Sequence, residues 1–137
     1  GMITINALAC SDKVIVPVQA EYLAAKGMGQ LLKNIMRVRK NLNPRLEVGG
    51  ILLTFIDKRT TLTKDVKDVL KESYGSYVET YKTEIPKAIN TAKSSSTGKS
   101  IFEYDKNSPV AKAYENFAKE VLFNDRTKVK NEVAYTR

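Results

Sequence analysis

"VGGILLTFI", residues 48–56, decides the fold. The run is uncharged and rich in branched side chains, yet strand-like in length. Such a run reads as a strand buried on both faces, the habit of a parallel sheet. Upstream, "KVIVPV" (residues 13–18) has the same character. Between the two lies a helical stretch over residues 21–42, in which Leu31, Leu32, Ile35, Val38 and Leu42 recur on one stripe. Pro44 in "NLNPRLEV" ends that helix because it cannot extend it.

The same alternation continues downstream. A helix is expected over residues 61–74, with Leu62, Val66, Val69 and Leu70 inward and Gly75 as its stop. "YVETYKTEIP" (residues 77–86) alternates and predicts a third strand. A loop or short helix covers residues 87–99, and "SIFEY" (residues 100–104) reads as an edge-like β segment. Ser108-Pro109 opens a last helix, proline being tolerated in a first turn, with Val110, Tyr114, Phe117, Val121 and Leu122 on its apolar face. Residues 1–123 are expected to form the domain and residues 124–137, polar and basic, a loosely held tail. Strands alternating with helices of this length give an α/β domain built on a mainly parallel sheet. The short helical run "TINALAC" that precedes the first strand, and the small number of strands, hint at part of a larger sheet.

Composition narrows the chemistry. The 137 residues include one cysteine and no histidine, so an internal disulfide, His-based catalysis and Cys/His zinc sites are excluded. The lone Cys10 is expected to be buried and inert, and to fit a reducing cytoplasm. No apolar run approaches the ~20 residues of a membrane-spanning helix. A formal net charge of +8 points to polyanionic partners. Lys33, Arg37 and Lys40 share one side of a helix and read as a solvated face.

"KSSSTGKS" (residues 93–100) ends like a phosphate-binding loop, whose pattern is G-x-x-x-x-G-K-[ST]. Five places before Gly98 stands Lys93, so the first glycine is missing. A β-like run is expected to follow rather than the helix N-terminus that phosphate loops need. The stretch is read as a flexible surface loop.

In colinear order, "PVQAEYLAAKGM" (residues 17–28), "LLTFIDKRT" (residues 52–60), "TEIPKAIN" (residues 83–90) and "GKSIFEYDKNS" (residues 98–108) resemble the ParA/Soj family of partitioning ATPases. The resemblance runs from about Ile3 to Leu122 and implies a partial P-loop NTPase-like, Rossmann-like sheet flanked by helices. In that family the phosphate loop and the Mg²⁺-associated aspartate motif precede the segment matching "TINAL". The resemblance therefore implies the C-terminal part of such an ATPase, with ATP and Mg²⁺ as cofactors of the intact protein and none expected for this chain. No catalytic or metal residue is expected, and Asp12, Asp57 and Asp65 are read as caps or solvated charges.

Family members hold the base with the loops after two strands, which implies Thr54, Pro86 and Lys87 on the adenine side. Turn chemistry explains those residue types equally well. The family's sequence-independent DNA surface implies Arg59 and Lys58 in the D-x-R-T match, with Lys87 and Lys93. Asn90 replaces the second arginine of the family's "IPRNVR" motif, which departs from the pattern. Implied partners are non-specific DNA, a partner protein that stimulates turnover, and a second copy of the chain. No membrane contact is expected, since the tail has too little apolar surface for an amphipathic anchor. The expected location is cytoplasmic, on the nucleoid for the intact protein. The alternative reading is a stand-alone basic α/β module that binds nucleic acid without nucleotide.

Overall fold

The structure, a computed structural model, describes the backbone of residues 1–135 and the side chains of that span except those of residues 22–26, 90 and 135. Its elements run α1 (Met2–Cys10), β1 (Lys13–Gln19), α2 (Tyr22–Asn41), β2 (Glu47–Ile56), α3 (Leu62–Tyr74), β3 (Thr80–Pro86), α4 (Ile89–Ser96), α5 (Ile101–Asp105) and α6 (Pro109–Tyr135). The chain divides into two compact units, Gly1–Thr80 and the residues from Tyr81 onward.

In the first unit β1 and β2 pair in parallel, from Lys13 opposite Glu47 to Gln19 opposite Thr54. The consecutive residues Ile51, Leu52 and Leu53 are all buried, as the uncharged run predicts. The ladder slips by one residue between Val14 and Ile15, because Gly49 is inserted between the partners Val48 and Gly50. Gly50 has φ +146°, which side-chain-bearing residues rarely adopt, so the Gly-Gly pair supplies the bulge. The Ile51 N–H donates to the Glu79 carbonyl at 2.9 Å, tying β2 to the turn that follows α3 within the first unit.

Helical periodicity places Ile35 and Val38 of α2, and Val66 and Leu70 of α3, in one core with Val16, Leu46, Ile51 and Leu53. Leu42 falls just past the end of α2 and stays exposed. The Asn43 side-chain amide donates to the carbonyls of Leu8 (3.2 Å) and Ser11 (2.7 Å), pinning the end of α1 to the turn before β2. Only Leu8 of α1 is buried, and Met2 and Ile3 face solvent. Cys10 is exposed, contrary to expectation, because it ends this lightly packed helix and its thiol reaches only the Ala7 carbonyl.

In the second unit the Tyr81 ring of β3 meets Phe117 of α6 edge-on, with centroids 4.9 Å apart. Glu120, one turn further along α6, accepts hydrogen bonds from the N–H groups of Lys82 (2.7 Å) and Thr83 (2.9 Å). A carboxylate thus satisfies two strand donors. Burial alone would raise the Glu120 pKa. Hydrogen bonds from the Thr83 side chain and from these two N–H groups outweigh it and lower the pKa. Ser108 caps α6 by accepting from the Ala111 N–H at 3.2 Å, with Pro109 in the first turn.

Three local expectations change. β3 begins at Thr80, later than the alternating run starts, because residues 77–79 complete the turn out of α3. "SIFEY" forms helix α5 rather than an edge strand, since Ser100 accepts from the Glu103 N–H at 3.1 Å and starts a helical turn. Residues 124–135, expected as a polar and basic tail, are helical and prolong α6, with residues 126–134 exposed.

Candidate functional site

The residues singled out by sequence fall into two groups, one in each compact unit. The first gathers at the carboxyl end of β2, the end at which open parallel sheets bind ligands. Thr54 sits there half-buried. Its hydroxyl reaches the Val18 carbonyl at 3.4 Å and its own carbonyl accepts from the Ala20 N–H at 3.1 Å. Thr54 therefore ties β2 to the end of β1, the local role that turn and strand chemistry allowed.

Phe55 follows with φ +56°, and the residue is 55% exposed. A bulky residue in the left-handed region is strained by about 1–2 kcal/mol, and such outliers concentrate at functional sites. Sequence reasoning missed Phe55. Nothing in an apolar strand pattern marks a phenylalanine whose backbone turns over, and an outward aromatic shows only once the bend is drawn.

Asp57, Lys58 and Arg59 form the turn beyond Ile56. The Asp57 carboxylate accepts from the Arg59 backbone N–H (3.0 Å), Nε (3.0 Å) and a terminal guanidinium nitrogen (2.9 Å). Its hydrogen bonds to Asp57, and then the charge of that carboxylate, raise the Arg59 pKa above its ordinary value. The Arg59 side chain is 89% exposed, so it is held in a fork yet open to solvent. Thr60 closes the turn on the Asp57 carbonyl at 3.2 Å. Lys58 is exposed beside it.

The second group lies at the carboxyl end of β3. Pro86 is half-buried and ends the strand, Lys87 is exposed, and Lys93 is exposed on α4. The Asn90 side chain, where the sequence departs from the family motif, lies outside the described residues.

"KSSSTGKS" is the C-terminal end of α4, not a phosphate cradle. Gly98 has φ +68°, and its N–H donates to the Ser95 carbonyl at 3.1 Å. The Thr97 N–H reaches Lys93 at 3.2 Å, and the Lys99 N–H reaches Ser94 at 3.1 Å. These are helix-capping bonds around a left-handed glycine. The Thr97, Gly98 and Lys99 amides are thus engaged within the chain. A helix does follow, contrary to expectation, but the preceding element is a helix rather than a strand. Among the described residues, no group of three or more carboxylates and thiols could hold a metal ion. No described helix is long and apolar enough to cross a membrane.

The "Sporulation initiation inhibitor protein Soj" of Bacillus subtilis is 44% identical over 124 residues, covering 90% of this chain. The chain is homologous to the ParA/Soj proteins. The "Chromosome-partitioning ATPase Soj" of Thermus thermophilus is 43% identical over 88% of the chain. The "Chromosome partitioning protein ParA" of Caulobacter vibrioides is 36% identical over 92%. The chain spans about half the length of these curated relatives: 48%, 47% and 46% respectively. A family model described as an AAA domain matches residues 1–48.

Among solved structures, cobyrinic acid a,c-diamide synthase from Mycobacterium smegmatis superposes with a TM-score of 0.71 at 33% identity. That match covers 89% of this chain and 42% of the synthase. The same synthase with bound ADP and magnesium gives a TM-score of 0.74 at 31% identity, over 93% of this chain and 44% of the synthase. The fold is therefore that of the P-loop ATPase type, a mainly parallel sheet flanked by helices.

Proposed function

We propose that this chain supplies the downstream half of a ParA/Soj-type partitioning ATPase. It contributes base-side and DNA-facing residues while the phosphate-gripping loop belongs to the other half. The observation that carries this reading is the match at 44% identity along 90% of the chain against only 48% of the relative. The engagement of the Thr97, Gly98 and Lys99 amides in helix capping supports the same division, since phosphoryl transfer depends on phosphate-loop amides, a lysine and Mg²⁺.

In this reading the intact protein binds ATP and Mg²⁺, dimerises with nucleotide, binds DNA without sequence preference and answers to a partition partner in the cytoplasm. Thr54, Pro86 and Lys87 contribute on the adenine side. Arg59, Lys58, Lys87 and Lys93 face the DNA backbone, and Phe55 presents an aromatic face beside the first of these groups. Exposed apolar residues of α1 such as Met2 and Ile3 support self-association, or association with the other half. The chain by itself turns over no ATP.

The test is a steady-state assay of the 137-residue chain with ATP and Mg²⁺, alone and mixed with a separately produced phosphate-loop half of a ParA/Soj relative. Turnover only in the mixture supports the proposal. Turnover by the chain alone, clearly above a protein-free control, overturns it.

A further inference from the structure

At the opposite end of β2 from Thr54, six residues or about 20 Å along the strand, the first unit carries a second concavity. Its volume is about 680 Å³, within the range of small-molecule sites. Leu32, Met36, Val48, Tyr74 and Val78 give it an apolar lining. Lys33, Arg37 and Arg39 of α2 also line it, and no carboxylate does. Among the described residues, no ion pair engages any of these three cations.

The backbone accounts for the opening. Gly29 lets α3 come close to α2, since a Cβ there would stand 3.2 Å from the Tyr74 hydroxyl. Just beyond α3, the N–H groups of Tyr77 and Val78 both donate to the Tyr74 carbonyl, at 2.9 and 3.0 Å. That turn fixes Tyr77, 75% exposed, at the mouth, with Met36, 53% exposed, also on the lining. An apolar bed lined with cations and no anion is complementary to one kind of ligand.

We propose that this groove is a binding site for a small organic anion. The ligand's aromatic or aliphatic body would lie against Leu32, Met36, Tyr74 and Val78, and its phosphate or carboxylate would be held by Lys33 and Arg37. The site stands apart from the nucleotide end of the sheet and does not depend on the function proposed above.

The 137-residue chain is titrated by calorimetry with 1-naphthyl phosphate, and in parallel with inorganic phosphate and with 2-naphthol. Met36 methyl and tyrosine ring resonances are followed by NMR. The expected result is saturable one-to-one binding of 1-naphthyl phosphate, perturbed Met36 signals, and at least about tenfold weaker binding of each half-probe. The Lys33→Glu/Arg37→Glu double variant is expected to lose at least about tenfold in affinity. Lys112→Glu/Lys119→Glu on α6 is expected to leave affinity unchanged. Met36→Ser, at an exposed position, is expected to weaken the naphthyl ligand but not inorganic phosphate. It carries the test should the charge-reversed variant fail to fold. Equal affinity of the wild type and the Lys33/Arg37 variant, equal affinity for phosphate with and without the naphthyl body, or ligand binding that leaves the Met36 signals unperturbed would each overturn the assignment.

Discussion

Replacing Arg59 and Asp57 separately probes the proposed DNA surface, because the structure makes the two substitutions act in opposite directions. The Arg59 side chain is 89% exposed and its guanidinium is forked onto Asp57 at 2.9–3.0 Å. To meet a phosphate it must leave that carboxylate or share it. Exposed ion pairs are weak, so releasing the arginine should cost DNA affinity roughly 1.5- to 5-fold. Asp57→Asn should therefore raise affinity by about that factor, helped by removal of a charge that repels phosphate. Arg59→Ala should remove one phosphate contact and reduce the slope of log K against log salt by about 0.9. Over a fourfold increase in salt, that is roughly a threefold smaller loss of binding.

The assay is fluorescence anisotropy of the intact protein, reconstituted from the chain and a phosphate-loop half with ATP and Mg²⁺, on labelled duplexes of unrelated sequence over a salt series. Both effects should be equal on every duplex, because phosphate contacts position without reading bases. An unchanged salt slope in Arg59→Ala, or weaker binding in Asp57→Asn, would refute the reasoning.

Phe55 offers a test of strain. In an ordinary strand alanine outranks glycine by about 0.5–1 kcal/mol, but at φ +56° the order should invert, with Phe55→Gly more stable than Phe55→Ala by about 1 kcal/mol in urea unfolding. Glu120→Ala should cost about 1–2 kcal/mol at neutral pH, two charge-assisted hydrogen bonds discounted for partial exposure, as read by thermal or urea melts. Because the folded Glu120 pKa is lowered, that stabilisation is complete above the ordinary glutamate value of about 4.3 and fades as pH falls through the lower folded value. The gap between wild type and Glu120→Ala should accordingly narrow only below about pH 4. Gly98→Ala should destabilise the end of α4, where φ is +68°, by about 1 kcal/mol, with no effect on nucleotide binding by a reconstituted ATPase. A loss of nucleotide affinity in that variant would restore the phosphate-loop reading of residues 93–100.

The apolar runs made the strands legible, and 3.6-residue spacing made the long helices legible, because burial on two faces or on one stripe writes itself into the order of side chains. Ile51 to Leu53 and the stripe of Ile35 and Val38 behave as their patterns demand. Residues 100–104 misled because Ile101, Phe102 and Tyr104 have strand composition. The Ser-x-x-Glu spacing of Ser100 and Glu103 was the stronger signal, and a single capped turn satisfies it. Residues 124–135 lost their apolar period, yet a helix already nucleated propagates cheaply through good helix formers such as Lys128, Lys130 and Glu132. At the candidate site, D-x-R-T was legible as a motif. Its inward fork onto Asp57 and the inverted backbone of Phe55 were not, because both arise from one local bend rather than from any periodic pattern.

The Gly-Gly slip in β2 reaches further than its own two residues. A strand keeps an odd–even count, and one inserted unit exchanges the two phases for everything after it. Trimming a single glycine from that pair would turn Ile51 and Leu53 toward the face now taken by Leu52, and would re-aim Thr54 at the strand's end. Length changes here should be tolerated in twos and punished in ones.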